Sequence, residues 1–255
     1  MSLRLLGILL AISLVGSSVR ALEAGERERT FAHALELLDN AKTPDAYRSA
    51  AQEFEKLLGD GYRNGGVFKN IGNAYMGAHE YGRAIAAYRK AKPFLPRDPY
   101  LDAVLKEAVS LSPGHLPEPG APWWASVFFW TTWFSYPEKL QIAFAVWSLG
   151  ALVMAGGVVL RKKALFRVSG AMALAAIVIS IDAGLTHQNV FHSNRAVVVA
   201  ETVARKGNSP EYPPAFDQPM KDGAEFTIID RRGDWVLGHF DGVGDGWLMQ
   251  AAIAE

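Results

Sequence analysis

Residues 140–160, LQIAFAVWSLGALVMAGGVVL, carry no charge, and residues 168–181 carry none either. As a helix, the 21 residues of the first run extend about 31 Å at ~1.5 Å per residue, enough to cross the hydrocarbon core of a bilayer. The second apolar run, 168–186, follows RKKALFR at 161–167, a segment with four basic residues and no acidic one. The pattern predicts a membrane hairpin: transmembrane helices at 139–160 and 168–187 around a seven-residue loop. The positive-inside rule puts that loop in the cytoplasm, so both flanking polar blocks face the other side. Asp182 is the one ionisable residue of the second run. Beside Gly184, Thr186 and His187 it reads as an interfacial end residue rather than part of an ion pathway. Gly150, Gly156, Gly157, Gly170 and Ala175 are small enough to let the two helices approach closely.

The rest of the chain is polar and charge-balanced. Lys+Arg and Asp+Glu are 26 each, which argues against a nucleic-acid binder and against an acidic disordered chain. Residues 24–113 hold 13 basic and 12 acidic residues, and 194–255 hold 6 and 10. There is no cysteine, so disulfides, thiolate metal sites and cysteine nucleophiles are excluded. At the N-terminus, LLGILLAISLV (5–15) behind Arg4 is too short to span a bilayer. With the small residues Val19 and Ala21 beyond it, and Arg20 between them, it reads as a signal peptide over 1–21. An uncleaved anchor or an ordinary buried helix is the alternative.

Residues 26–111 are expected to be helical. Phe68, Ile71 and Tyr75 lie at i, i+3 and i+7 on one helix face, and Ala84, Tyr88 and Ala91 repeat that spacing on a second helix. Gly72 and Ala84 are small, and Pro93 and Pro96 stop the second helix. Residues 65–98 resemble a tetratricopeptide repeat, with Phe68, Ile71, Gly72, Tyr75, Ala84, Tyr88, Ala91 and Pro96 at its fixed positions. Ala50, Phe54 and Leu57 form a degenerate copy one repeat earlier, with Leu35, Leu37 and Leu38 before them; 99–111 is a terminal capping helix. Lys69, Asn73 and Met76 lie opposite the apolar face. The resemblance makes that face the concave, partner-binding groove; a solvated helix surface is the alternative.

Four prolines and two glycines in 112–122 mark a linker. Residues 123–137 follow with eight aromatics, four of them tryptophan. They are too few for a span and suit the membrane–water interface, a buried helix being the alternative.

Over 194–255 the period changes to short β-rich runs: Ala196–Val199, Phe226–Ile229, Trp235–Phe240 and Trp247–Met249. They predict a small β-barrel. Arg205, Gly207, Ser209, Gly233-Asp234-Trp235 and Gly246-Trp247 resemble the turns of a bacterial SH3-like domain. Such domains bind peptidoglycan or peptide, which makes Tyr212, Trp235 and Trp247 a possible groove; the alternative puts the tryptophans in the core.

The segment Asp241–Gly246 fails as a calcium loop, since Val243 and Ala252 stand where ligands are required. No nucleotide-binding, serine-hydrolase or zinc-protease motif occurs. The histidines at 33, 79, 115, 187, 192 and 239 show no ligand spacing. No enzyme, no cofactor and no metal is expected.

The order of parts is a signal peptide, an all-α tetratricopeptide-repeat pair, a two-helix membrane hairpin and an all-β SH3-like barrel. It resembles the BatE proteins of the Bacteroides aerotolerance (Bat) operons, with the weak first repeat as the departure. The resemblance implies a scaffold of the bacterial inner membrane with both soluble domains in the periplasm. Its partners would be von Willebrand A-domain membrane proteins and a MoxR-type ATPase in an envelope-stress or aerotolerance system. The other readings are a peptidoglycan-binding envelope sensor and an accessory subunit for envelope or cytochrome biogenesis.

Overall fold

The computed structural model describes residues 25–59, 62–116, 128–191 and 193–255. The signal peptide, residues 117–122 of the linker, Trp123 and Trp124, and His192 lie outside the described residues. The chain divides between His79 and Glu80 into two compact units.

The first unit contains α1 (25–40), α2 (Pro44–Lys56) and α3 (Gly65–Gly77). Each start of α2 and α3 is written locally. The Thr43 hydroxyl accepts the Ala46 N–H ahead of Pro44, and the Asn64 side chain accepts the N–H groups of Gly66 and Val67. Phe31 of α1 meets Phe54 of α2 edge-on at 5.7 Å, and Tyr75 of α3 donates to the Glu55 carboxylate at 2.7 Å. Ala50, Phe54 and Leu57, the apolar set of the degenerate copy, are buried.

The second unit begins with α4 (Tyr81–Ala91) and α5 (Pro99–Leu111), which pack on one another. Ala84, Tyr88 and Ala91 are fully buried. Asp98 caps α5 through the N–H groups of Tyr100 and Leu101. A four-residue helix, α6 (Trp130–Trp133), precedes two long apolar helices, α7 (Tyr136–Leu160) and α8 (Lys163–Phe191). Both are long and apolar enough to cross a membrane.

The structure moves the expected bounds of this hairpin. A capping box between Ser135 and Glu138, with Pro137 in the first turn, starts α7 at Tyr136 rather than 139. Lys163–Arg167 wind into α8, so the expected seven-residue loop shrinks to Arg161 and Lys162, with Arg161 left-handed at φ 51°. Between the helices, Ala143, Gly150 and Gly157 of α7 and Ser169, Ala176 and Ala183 of α8 are buried, each set spaced by seven residues. The Ser169 hydroxyl donates to the Gly150 carbonyl at 3.1 Å. Of the expected small residues, Gly150 and Gly157 serve this contact. Gly170 and Ala175 are exposed, and Gly156 has open space where a side chain would go.

The unit ends in a curled antiparallel sheet with strand order β4-β3-β2-β1-β5. The strands are β1 (Arg195–Val198), β2 (Glu225–Arg232), β3 (Trp235–Phe240), β4 (Gly244–Met249) and β5 (Ile253–Ala254). Arg205 pairs with Trp247 along the outer side of β4, bending the long β1–β2 connection back onto the sheet. Val198, Phe226, Ile228, Val236, Phe240 and Leu248 form the core, and Leu116, from the stretch after α5, packs against it.

Candidate functional site

On α3, Phe68, Ile71, Gly72 and Tyr75 are buried, while Lys69, Asn73 and Met76 are half-buried. At 3.6 residues per turn the latter three fall on one strip, opposite the buried face. Sequence periodicity finds both faces, because burial on a helix follows that period.

The sheet brings together two of the three residues expected to form a groove. Trp235 is opposite Met249, and Trp247 is opposite Leu237. Trp235 and Trp247 are thus diagonal neighbours on the face away from the Val236–Leu248 core. Trp235 is half-buried and Trp247 is buried. The Arg232 guanidinium lies 5.3 Å from the centre of the Trp247 ring. Tyr212 is exposed in the β1–β2 connection, and Arg205 links it to Trp247. The Arg205 backbone pairs with Trp247, and its guanidinium donates to the Tyr212 carbonyl at 2.8 Å.

Two junctions were not legible in the sequence. In the first, the sheet is fastened to the helices before it. Both carboxylate oxygens of Asp222 accept the Gly82 N–H, at 3.1 and 3.2 Å, in the first turn of α4. Burial is the largest influence on Asp222 and pushes its carboxyl above the usual carboxylate range, against the lowering effect of the Gly82 N–H. The Asp222 carbonyl accepts from the Ser112 hydroxyl at 2.7 Å and from the Gly114 N–H at 2.9 Å. Gly223, at φ 89°, lies so close to Ser112 that a β-carbon would collide with its hydroxyl. Arg89 of α4 makes a two-pronged pair with Glu225 of β2, at 2.8 and 2.9 Å. Residues 112–116, the first part of the expected 112–122 linker, fasten α5 to the sheet through Ser112 and Gly114.

In the second, Lys139 lies nearly wholly buried at the start of α7. Its ammonium group donates to the Thr131 carbonyl at 2.7 Å and the Thr186 hydroxyl at 2.8 Å, and pairs with Asp182 at 3.1 Å. Asp182 is thus not merely an interfacial end residue; it pairs with the other helix. Nearby, the Tyr136 hydroxyl and His187 Nδ1 are 2.8 Å apart, and the Tyr136 N–H donates to the Pro93 carbonyl at 2.8 Å. Arg97 pairs with Glu138 at 2.5 Å and lies over the Trp133 ring.

At the β3–β4 turn, His239 Nδ1 is 2.5 Å from Asp245, with Asp241 at 3.7 Å from Nε2. The bond to Asp245 is the main reason its imidazole pKa is raised. Among the described residues no three His, Asp or Glu side chains are grouped to hold a metal. The arrangement offers surfaces and fixed junctions.

No protein-family model, no curated protein and no solved structure matches this chain.

Proposed function

We propose that this protein is a non-enzymatic scaffold anchored in the bacterial inner membrane by α7 and α8, its helical and β parts facing the periplasm. One observation carries this reading: from α4 to β5 the second unit is internally fastened. The sheet is held to α4 and α5 through Asp222 and the Arg89–Glu225 pair, and the turn after α4 is held to α7 through Pro93 and Arg97. A β module fixed in this way relative to an apolar hairpin suits a platform that presents surfaces at a set height above a membrane. A module on a free tether would suit independent search for a ligand.

On this reading residues 65–98 are a tetratricopeptide repeat by sequence, and the strip of Lys69, Asn73 and Met76 on α3 is the surface that takes a protein partner. The resemblance to BatE proteins names von Willebrand A-domain membrane proteins, with a MoxR-type ATPase, as the first partners to seek. The test is affinity purification of the full-length protein in mild detergent beside a Lys69→Ala/Asn73→Ala variant. Membrane A-domain proteins captured by the parent and lost in the variant support the reading. The same proteins in both samples, or none in either, defeat it.

A second reading rests on Trp235, half-buried on the sheet's outer face beside Trp247 and Arg232. The accessible Trp235 ring near the Arg232 cation suits a sugar-bearing polymer, and an SH3-like domain would make peptidoglycan the ligand. Co-sedimentation of full-length protein with purified cell wall, reduced by Trp235→Ala, would favour it; no co-sedimentation would end it.

A further inference from the structure

The two ends of the α7–α8 hairpin differ in charge, one balanced and the other positive. At one end every charge is internally answered: Lys139 by Asp182, and Glu138 by Arg97. At the other, Arg161, Lys162, Lys163 and Arg167 are all exposed. Among the described residues none of these four forms an ion pair. The nearest acidic residues along the chain are Glu138 and Asp182, both at the far end of the helices.

The turn concentrates these charges. Only Arg161 and Lys162 lie between the helices, and Lys163 and Arg167 stand one turn apart on the same face of α8. Gly157 lets Leu165 and Phe166 fold against α7, where a β-carbon would lie 3.2 Å from that of Leu165 and 3.4 Å from the Phe166 ring. Immediately before Arg161 in the chain, Val158, Val159 and Leu160 are 60%, 79% and 60% exposed. Exposed aliphatic side chains therefore lead directly into four unanswered cations spread over seven residues.

We infer that this end of the hairpin binds anionic diacyl phospholipid, the cations taking the headgroup phosphate and the exposed aliphatic side chains taking the acyl chains. A free phosphate would use only the first feature and a neutral phospholipid only the second. The inference rests on the membrane-spanning reading above. An anionic lipid surface attracts each nearby Lys or Arg by enough that removing two should cost about thirtyfold in retention.

The experiment is native mass spectrometry of the full-length protein in mild detergent with phosphatidylglycerol, phosphatidylcholine or glycerol phosphate added. It compares the parent, Arg161→Gln/Lys162→Gln, Lys163→Gln/Arg167→Gln and the charge-keeping Lys162→Arg/Lys163→Arg. Detergent removes the requirement that the variants insert with the parent's topology, and circular dichroism checks their helix content. Preferential retention of phosphatidylglycerol, lost in both Gln variants and kept in the Arg variant, is the expected result. Equal retention of the two lipids, equal retention by parent and Gln variants, or capture of glycerol phosphate as readily as lipid would overturn the inference while leaving the membrane reading intact. A protein that holds no phospholipid and stays soluble without detergent would overturn both.

Discussion

Lys139 and Asp182 join the first turn of α7 to the last turns of α8, 3.1 Å apart, with the lysine side chain 4% exposed. Three oxygen partners saturate the ammonium group: Asp182, Thr186 and the Thr131 carbonyl. One cation thus ties α6, α7 and α8 together at the end of the hairpin nearest the other helices of its unit. Removing one member of a buried pair leaves an uncompensated charge, at a cost of about 3 kcal/mol. Lys139→Met and Asp182→Leu should each lower the unfolding midpoint in mild detergent, and the double variant should recover most of the loss. Single variants that unfold like the parent would remove the pair from any anchoring role.

Asp222 makes a pH-dependent latch. Because burial raises its pKa, the docked sheet holds the proton more tightly than the undocked chain does. Docking is therefore strongest below the ordinary carboxylate value, weakens as pH rises through it to the raised value, and is level above that. Asp222→Asn should abolish this dependence while keeping an acceptor for Gly82. Asp222→Ala should weaken docking by about 1 kcal/mol by orphaning that N–H. Hydrogen exchange at Gly82 and Gly114 across the acid range is the measurement.

Glycine to alanine should have opposite signs at two helix positions. At Gly82 a β-carbon would overlap the Val198 carbonyl and the Asp222 carboxylate. Gly82→Ala should thus cost about 1–3 kcal/mol of docking. At Gly170 nothing lies within reach of a β-carbon, and the gain in helix propensity is about 1 kcal/mol. Thermal unfolding of both variants in one detergent checks the contrast; a Gly82→Ala protein as stable as the parent would mean that α4 and β1 are not closely docked.

His239 should stabilise the β3–β4 hairpin below the ordinary imidazole value and lose that effect as pH rises through its raised value, since the Asp245 bond favours the charged ring. An NMR titration of the His239 ring should show the upward shift, and Asp245→Asn should return it toward the ordinary value.

The sequence carried the elements well wherever a local rule governs them. The caps at Thr43, Asn64, Asp98 and Ser135 lie beside the helices they start, and three of those helices have proline in the first turn; hydropathy, which ignores caps, placed the start of α7 three residues late, at 139. Periodicity located the buried faces of α3 and α4, because burial on a helix repeats with its own period, and β-rich runs between turn residues located four of the five strands. It also put Lys69, Asn73 and Met76 on one strip of α3. The partnership of Trp235 with Trp247 needed more, because it depends on a strand register that composition does not specify.

Residue order by itself determined two apolar runs long enough to span a membrane, a basic turn between them, helices before and short strands after. Those follow from side-chain hydrophobicity and backbone preference, which act between near neighbours. Only the tertiary structure decided that Asp182 answers Lys139, that Asp222 and Gly82 close a latch, that Ser112 and Leu116 belong to the sheet's docking strap, and that 143, 150 and 157 rather than every small residue line the helix contact. Each of these joins residues far apart in the chain, and short-range forces leave such pairings open until packing and charge burial select among them.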